Sequence, residues 1–203
     1  MKQILVLFLI LIILVSSFSC LGGGKMEKLK GKKIAMIIAP ENFRDEEYQI
    51  PKEIFESYGI SVTTASTRTG KARGMLGAEV SVEYTILDLR PSDFDAVVVV
   101  GGGGSKVYLW NSPELINFVK KAYELEKVVA SICLSPVVLA ESGILKDKKA
   151  TVYPDREAIE LLKENGAKYT GKGVEVDGRV VTANGPKMAK QFAEEIVKLL
   201  EKE

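Results

Sequence analysis

The sequence predicts a doubly wound α/β fold, a mainly parallel sheet with helices on both faces. Three observations lead there. From Lys32 onward, short β-branched runs alternate with amphipathic stretches, which is the rhythm of βαβ units. The run Ala96-Val-Val-Val-Val100 is apolar at every position, as a strand is when helices cover both of its faces. No repeat and no shift in composition divides residues 32–203, so one domain is expected there.

The elements follow in order. Ile34 to Ala39 reads as the first strand, and Asp45 to about Tyr58 as the helix after it. Ser61 to Ala65 is the second strand, and a small hairpin is expected around Gly74 to Gly77. Ala96 to Val100 is a buried strand that runs into Gly101-Gly-Gly-Gly104, and Pro113 to Leu125 is a helix. Val128 to Ile132 and Ala150 to Val152 read as strands, with helices at Ser135 to Ser142, Arg156 to Asn165 and Lys187 to Lys202. Asp177-Gly178, between Val174-Glu-Val176 and Arg179-Val-Val-Thr182, marks a hairpin. In such sheets the ligand crevice lies beyond the carboxyl ends of the strands, where strand order reverses. Pro40 to Tyr48, Gly101 to Lys106 and Cys133 to Val137 should meet there.

The chain has 203 residues, 46% hydrophobic and 27% charged, enough for one well-buried core. Part of the apolar fraction comes from Met1 to Ser19, where Lys2 precedes an unbroken apolar run from Ile4 to Val15 and then Ser16, Ser17 and Ser19. That order matches an export signal better than a spanning helix. Cys20-Leu-Gly-Gly-Gly-Lys25 resembles a lipoprotein signal, in which the cysteine is acylated and the glycines form a tether. Phe18 departs from the small residue usual at that site. An uncleaved anchor, simple secretion, or translation from Met26 are the alternatives.

Lys and Arg number 28 against 27 acids, and loss of Lys2 with the leader would leave 27 against 27, so nucleic-acid binding has no support. Lys25, Lys28, Lys30, Lys32 and Lys33 fit a solvated hinge, or contacts to anionic head groups. With two cysteines, Cys20 in the tail and Cys133 in an apolar strand context, no disulfide framework holds the fold. Histidine is absent, which removes the commonest zinc ligand and the commonest general base. No metal or cofactor is expected.

Chemistry centres on Ser131-Ile-Cys-Leu-Ser-Pro136, a strand that turns sharply into a helix with Cys133 at the bend. Amides at a helix start lower a thiol pKa and can hold an oxyanion, although an inert core thiol also fits. The glycine run lets backbone approach a ligand closely. It is not a phosphate loop, because Gly-Gly-Gly-Gly-Ser-Lys106 completes neither nucleotide-binding glycine pattern.

On these motifs the chain resembles the DJ-1/PfpI family, flavodoxin-like proteins of the class I glutamine amidotransferase-like superfamily. The carrying residues are Phe43-Arg-Asp-Glu-Glu-Tyr-Gln-Ile-Pro51, Asp93-Phe-Asp-Ala-Val97 leading into Gly101-Gly102, and the cysteine elbow. Ser142-Gly-Ile-Leu145, Ala150-Thr-Val-Tyr-Pro154 and Ala183-Asn-Gly-Pro186 extend the match over residues 32–202. The resemblance implies that Glu47, four residues before Pro51, stands against the Cys133 thiol. It further implies that Gly101 and Gly102, with Leu134, form the oxyanion hole, and that the chain assembles as a homo-oligomer. A fixed carboxylate would oppose a thiolate, so Glu47 should keep its proton at a raised pKa. Glu46 and Glu47 also fit solvated acids at a helix start.

The departures are as informative. Members with peptidase activity carry a histidine directly after the cysteine and an acid from a neighbouring subunit, and here those positions hold Leu134 and Lys106. A Cys-His dyad is impossible. Where deglycase and glyoxalase members often keep a histidine stands Tyr153, which fits either a hydrogen-bond donor in the site or an aromatic cap on the strand. The resemblance therefore implies a glyoxalase or deglycase-type activity on a small carbonyl compound or modified protein. Its rival is a non-catalytic redox or stress protein with an oxidisable Cys133, and a cysteine peptidase ranks third.

Overall fold

A computed structural model describes residues 29–202. The leader, Cys20, the tether and Met26 lie outside the described residues. The strands of the central sheet are Lys33–Ile37 (β1), Ser61–Ser66 (β3), Tyr84–Thr85 (β6), Ala96–Val99 (β7), Val128–Ile132 (β8), Val174–Asp177 (β11) and Val180–Ala183 (β12). These seven lie in the order β11-β12-β8-β7-β1-β3-β6. All neighbours pair in parallel except β11 and β12, the hairpin turned by Asp177-Gly178. Every residue of β7 and β8 is buried, which explains why they read as continuous apolar runs rather than alternating ones.

The six α-helices of the described residues are Asp45–Ser57 (α1), Gly103–Tyr108 (α2), Pro113–Glu124 (α3), Pro136–Glu141 (α4), Arg156–Glu164 (α5) and Ala189–Leu200 (α6). Helices α1 and α6 pack together on one side of the sheet, while α3, α4 and α5 form a second group. The amphipathic faces sort them: α6 buries Phe192, Ala193, Ile196, Val197 and Leu200, and α3 buries Leu115, Phe118, Val119 and Ala122. None of these helices is long and apolar enough to cross a membrane.

Three local features add to the sequence reading or depart from it. The glycine run, read as a place of close backbone approach, also opens α2 at Gly103, and Gly104 packs so tightly on the Glu41 carbonyl that a Cβ has no room. The strand expected at Ala150 to Val152 is Lys149–Ala150 (β9), which pairs with Lys168–Tyr169 (β10) outside the main sheet. The hairpin around Gly74 to Gly77 forms between Gly70–Gly74 (β4) and Glu79–Val82 (β5), and Glu41–Phe43 (β2) adds to it in parallel. Polar Glu41 and Asn42 carry no strand periodicity, so β2 was invisible in the sequence.

The order of strands reverses at β1, with β3 and β6 on one side and β7, β8 and β12 on the other. The crevice therefore opens beyond the carboxyl ends of β1, β7 and β8, between neighbours whose connections run opposite ways. The three segments expected to meet do so: the Arg44 amide donates to the Gly101 carbonyl at 3.0 Å, and Gly101 lies against Cys133.

Candidate active site

Cys133 is the first residue after β8 and has φ +63°, a left-handed conformation that costs a non-glycine residue roughly 1–2 kcal/mol. The surroundings hold it there. Its amide donates to the Ala183 carbonyl at 2.9 Å, and the Tyr153 amide donates to its carbonyl at 2.8 Å. The Ser135 hydroxyl donates to the Val100 carbonyl at 2.7 Å, so in its 2.8 Å contact with Ser135 the Ser105 hydroxyl is the donor. The Trp110 indole N–H closes the bend by donating to the Leu134 carbonyl at 2.8 Å. These bonds tie the ends of β7, β8 and β12 and the start of α2 into one rigid frame around sulfur.

Glu47 enters from the first turn of α1 and is fully buried. Pro51 lacks the N–H that would otherwise bond the Glu47 carbonyl four residues back. A Cβ placed on Gly101 would stand 2.5 Å from Cys133 Cβ and 2.7 Å from Glu47 Oε2, so the two side chains flank one α-carbon and only glycine fits between them. The Gly101 amide and the Cys133 thiol are the polar groups facing the carboxyl. Neither contact has full hydrogen-bond geometry, and both carboxyl oxygens remain without a regular partner.

Burial pushes the Glu47 carboxyl up to about 8, against the weaker pull of the thiol, the Gly101 amide and the Arg44 charge. The Cys133 thiol is pushed up to about 12, first by burial and then by the negative charge of an ionised Glu47, while the Gly102 and Leu134 amides favour the thiolate. This corrects the expectation of a low thiol pKa at a helix start. Helix α4 begins only at Pro136, and desolvation outweighs the two amides. The two groups titrate as a coupled pair, and the rise caused by Glu47's charge vanishes whenever Glu47 keeps its proton.

The glycines divide their work differently from the expected oxyanion pair. The Gly102 and Leu134 amides face sulfur, whereas the Gly101 amide faces Glu47 and Gly101 does not line the cavity. Above Cys133 lies a cavity of about 540 Å³. Tyr153 lines it, with its ring against Gly185 and its hydroxyl making no hydrogen bond among the described residues. Lys106 does not reach the cavity. It pairs with Glu157 at 2.7 Å and Asp155 at 3.3 Å, and its ammonium sits over the Trp110 ring.

Sequence reasoning missed Arg44, Met75, Asn184 and Lys187 as lining residues. Arg44 and Asn184 stood inside quoted motifs, Lys187 stood next to one, and nothing in the sequence marked Met75, whose sulfur accepts from the Gly103 amide at 3.4 Å. Among the described residues no cluster of three or more cysteine, aspartate and glutamate side chains could hold a metal ion.

A sulfur at a strand-to-helix bend, floored by a buried acid and roofed by an open cavity, is how α/β proteins with a cysteine elbow are built. This chain belongs to the DJ-1/PfpI family, whose sequence pattern matches residues 32–199. It is 50% identical to an uncharacterized protein of Methanocaldococcus jannaschii, over 100% of this chain and 98% of that protein. A deglycase of Thermococcus kodakarensis is 32% identical over 81% of this chain and 98% of its own length. Among solved structures, the ThiJ/PfpI domain protein of Brachyspira murdochii superimposes with a TM-score of 0.81 at 33% identity, covering 86% of this chain and 99% of that one. The mainly parallel, flavodoxin-like architecture is thereby shared.

Proposed function

We propose that this protein acts on reactive carbonyl compounds in the manner of a glyoxalase or deglycase, with Cys133 as nucleophile and Glu47 as acid and base. The observation that carries this reading is a neutral acid buried beside a cysteine under an open cavity, in a chain without histidine. Below about 8 Glu47 keeps its proton, so no fixed negative charge opposes a thiolate at Cys133, which the Gly102 and Leu134 amides favour.

For an α-oxoaldehyde the steps balance without an oxidant. Sulfur adds to the aldehyde carbon, the C=O π pair becomes an alkoxide held by the Gly102 and Leu134 amides, and Glu47 delivers its proton to that oxygen. The Glu47 carboxylate then removes the proton from the same carbon and returns it to the neighbouring one, while the hydroxyl proton passes to the neighbouring oxygen, which converts the hemithioacetal to a hydroxy-acyl thioester. Water hydrolyses the thioester, releasing an α-hydroxy acid and the thiol. A glycated protein side chain offers the same carbonyl-derived carbon, and the deglycase relative supports that class of substrate. The leader and Cys20 support an extracytoplasmic, membrane-anchored location for the reaction.

Methylglyoxal turnover is expected for the wild-type chain and absent in Cys133→Ala. Glu47→Gln should lose about a hundredfold or more in kcat. The rate should fall as pH rises through about 8, where Glu47 loses the proton it delivers. Turnover that persists in Cys133→Ala sinks the reading. No wild-type turnover, together with peroxide adding two oxygens to Cys133, would hand the site to the redox alternative.

A further inference from the structure

The cavity above Cys133 is electrostatically lopsided. Of its lining residues, Arg44 and Lys187 are cations and none is a carboxylate. Arg44 gives Nε and Nη2 to Glu46 at 2.7 and 3.0 Å, which fixes its guanidinium sideways and leaves Nη1 with no protein partner among the described residues. Lys187 is exposed and makes no ion pair among the described residues. Even with Glu46 counted against Arg44, Lys187 leaves the rim net positive. Arg44 is also close enough to Cys133 and Glu47 for its charge to act on both. The Asn184 side chain, on the same lining, has no hydrogen-bond partner among the described residues and offers a neutral donor. A neutral oxoaldehyde needs none of these groups.

We infer that the preferred carbonyl substrate carries its own carboxylate, which Arg44 and Lys187 hold in the cavity while its carbonyl carbon meets Cys133. This rests on Cys133 being the nucleophile of the proposed reaction and adds a substrate class to it. A guanidinium held by Glu46 meets a planar carboxylate with little further ordering, and such charge-assisted bonds are stronger than neutral ones. The covalent chemistry is unchanged: sulfur bonds to the carbonyl carbon and the oxygen takes the proton, so the carboxylate alters binding only.

The test separates anion recognition from turnover. In the full chain, Cys133 is alkylated in parallel with iodoacetate, which is anionic, and iodoacetamide, which is neutral, and the rate ratio is compared with that of a free thiol. The ratio should favour iodoacetate by about tenfold over the free thiol, the effect of one charge-assisted contact. Arg44→Gln and Lys187→Gln should each reduce the preference several-fold, and Arg44→Lys should keep part of it. Added salt should weaken it. In the second arm, kcat/KM is compared for dioxovalerate, an α-oxoaldehyde with a carboxylate tail, and methylglyoxal, with the acid expected to be favoured and the ratio to fall in Arg44→Gln. A ratio equal to that of the free thiol, or unmoved by both substitutions, overturns the inference even if methylglyoxal is turned over. A charge-dependent ratio without any turnover keeps the anion site and overturns the proposed reaction instead. A Cys133 that reacts with neither reagent overturns both.

Discussion

At Gly101 the whole site depends on one missing methyl group. A Cβ on Gly101 would meet Cys133 Cβ, the Ile132 carbonyl and Glu47 Oε2 within 2.7 Å, which leaves no space for a side chain, and two of those three neighbours lie on the elbow itself. Gly101→Ala should therefore push the elbow and Glu47 apart rather than merely strain a loop. Overpacking of this kind costs about 1–3 kcal/mol. The expected outcome is a folded protein with a lower denaturation midpoint and Cys133 alkylation changed at least tenfold; wild-type alkylation kinetics would refute that account. The sequence marked Cys133 because an apolar strand runs into Leu-Ser-Pro136. It marked Glu47 only through resemblance, since nothing local separates it from Glu46. The fold separates them: Glu46 turns outward to Arg44, and Glu47 is buried against sulfur.

Among the elements, α1 works through its first turn. Asp45 is buried and accepts from the Leu76 and Ala78 amides, both at 2.8 Å, which clamps the turn between β4 and β5. Gly74 must be glycine at this point, because a Cβ would strike the Asp45 carboxylate. That turn carries Met75, whose backbone amide donates to the Phe43 carbonyl and whose sulfur meets the Gly103 amide over the cavity. Asp45→Ala should destabilise the protein by about 1–3 kcal/mol for the unpaired amides. It should also speed hydrogen exchange at Leu76 and Ala78 while leaving β7 and β8 protected, with Asp45→Asn in between; uniform loss of protection would refute a local clamp. The acids of Asp45-Glu-Glu47 read in sequence as a helix start, which they are. That each points to a different partner follows from the helical turn of about 100° per residue set against three different neighbours.

For the molecule as a whole, the site is a stability load with a definite pH signature. Glu47 titrates near 8 in the folded chain against an ordinary glutamate value of 4.5. Below the lower value both states hold the proton, and between the two only the folded chain does. The unfolded state therefore binds fewer protons in that window, and stability must fall as pH rises from about 4.5 to 8. Glu47→Gln removes the load, so guanidinium unfolding should show the variant gaining a few kcal/mol on the wild type across that window, with little difference at its acid end. A gap that does not vary with pH would refute the assignment. The sequence alone determined the α/β class, the two fully buried strands and the bend at Cys133, because hydrophobic period and turn chemistry are local properties. Only the tertiary structure decided which acid faces sulfur, that Gly101 serves as a spacer, and that Arg44 and Lys187 share one cavity. Those facts depend on side chains far apart in the chain meeting at a strand switch point, where distance and desolvation, neither written in any local pattern, set the chemistry.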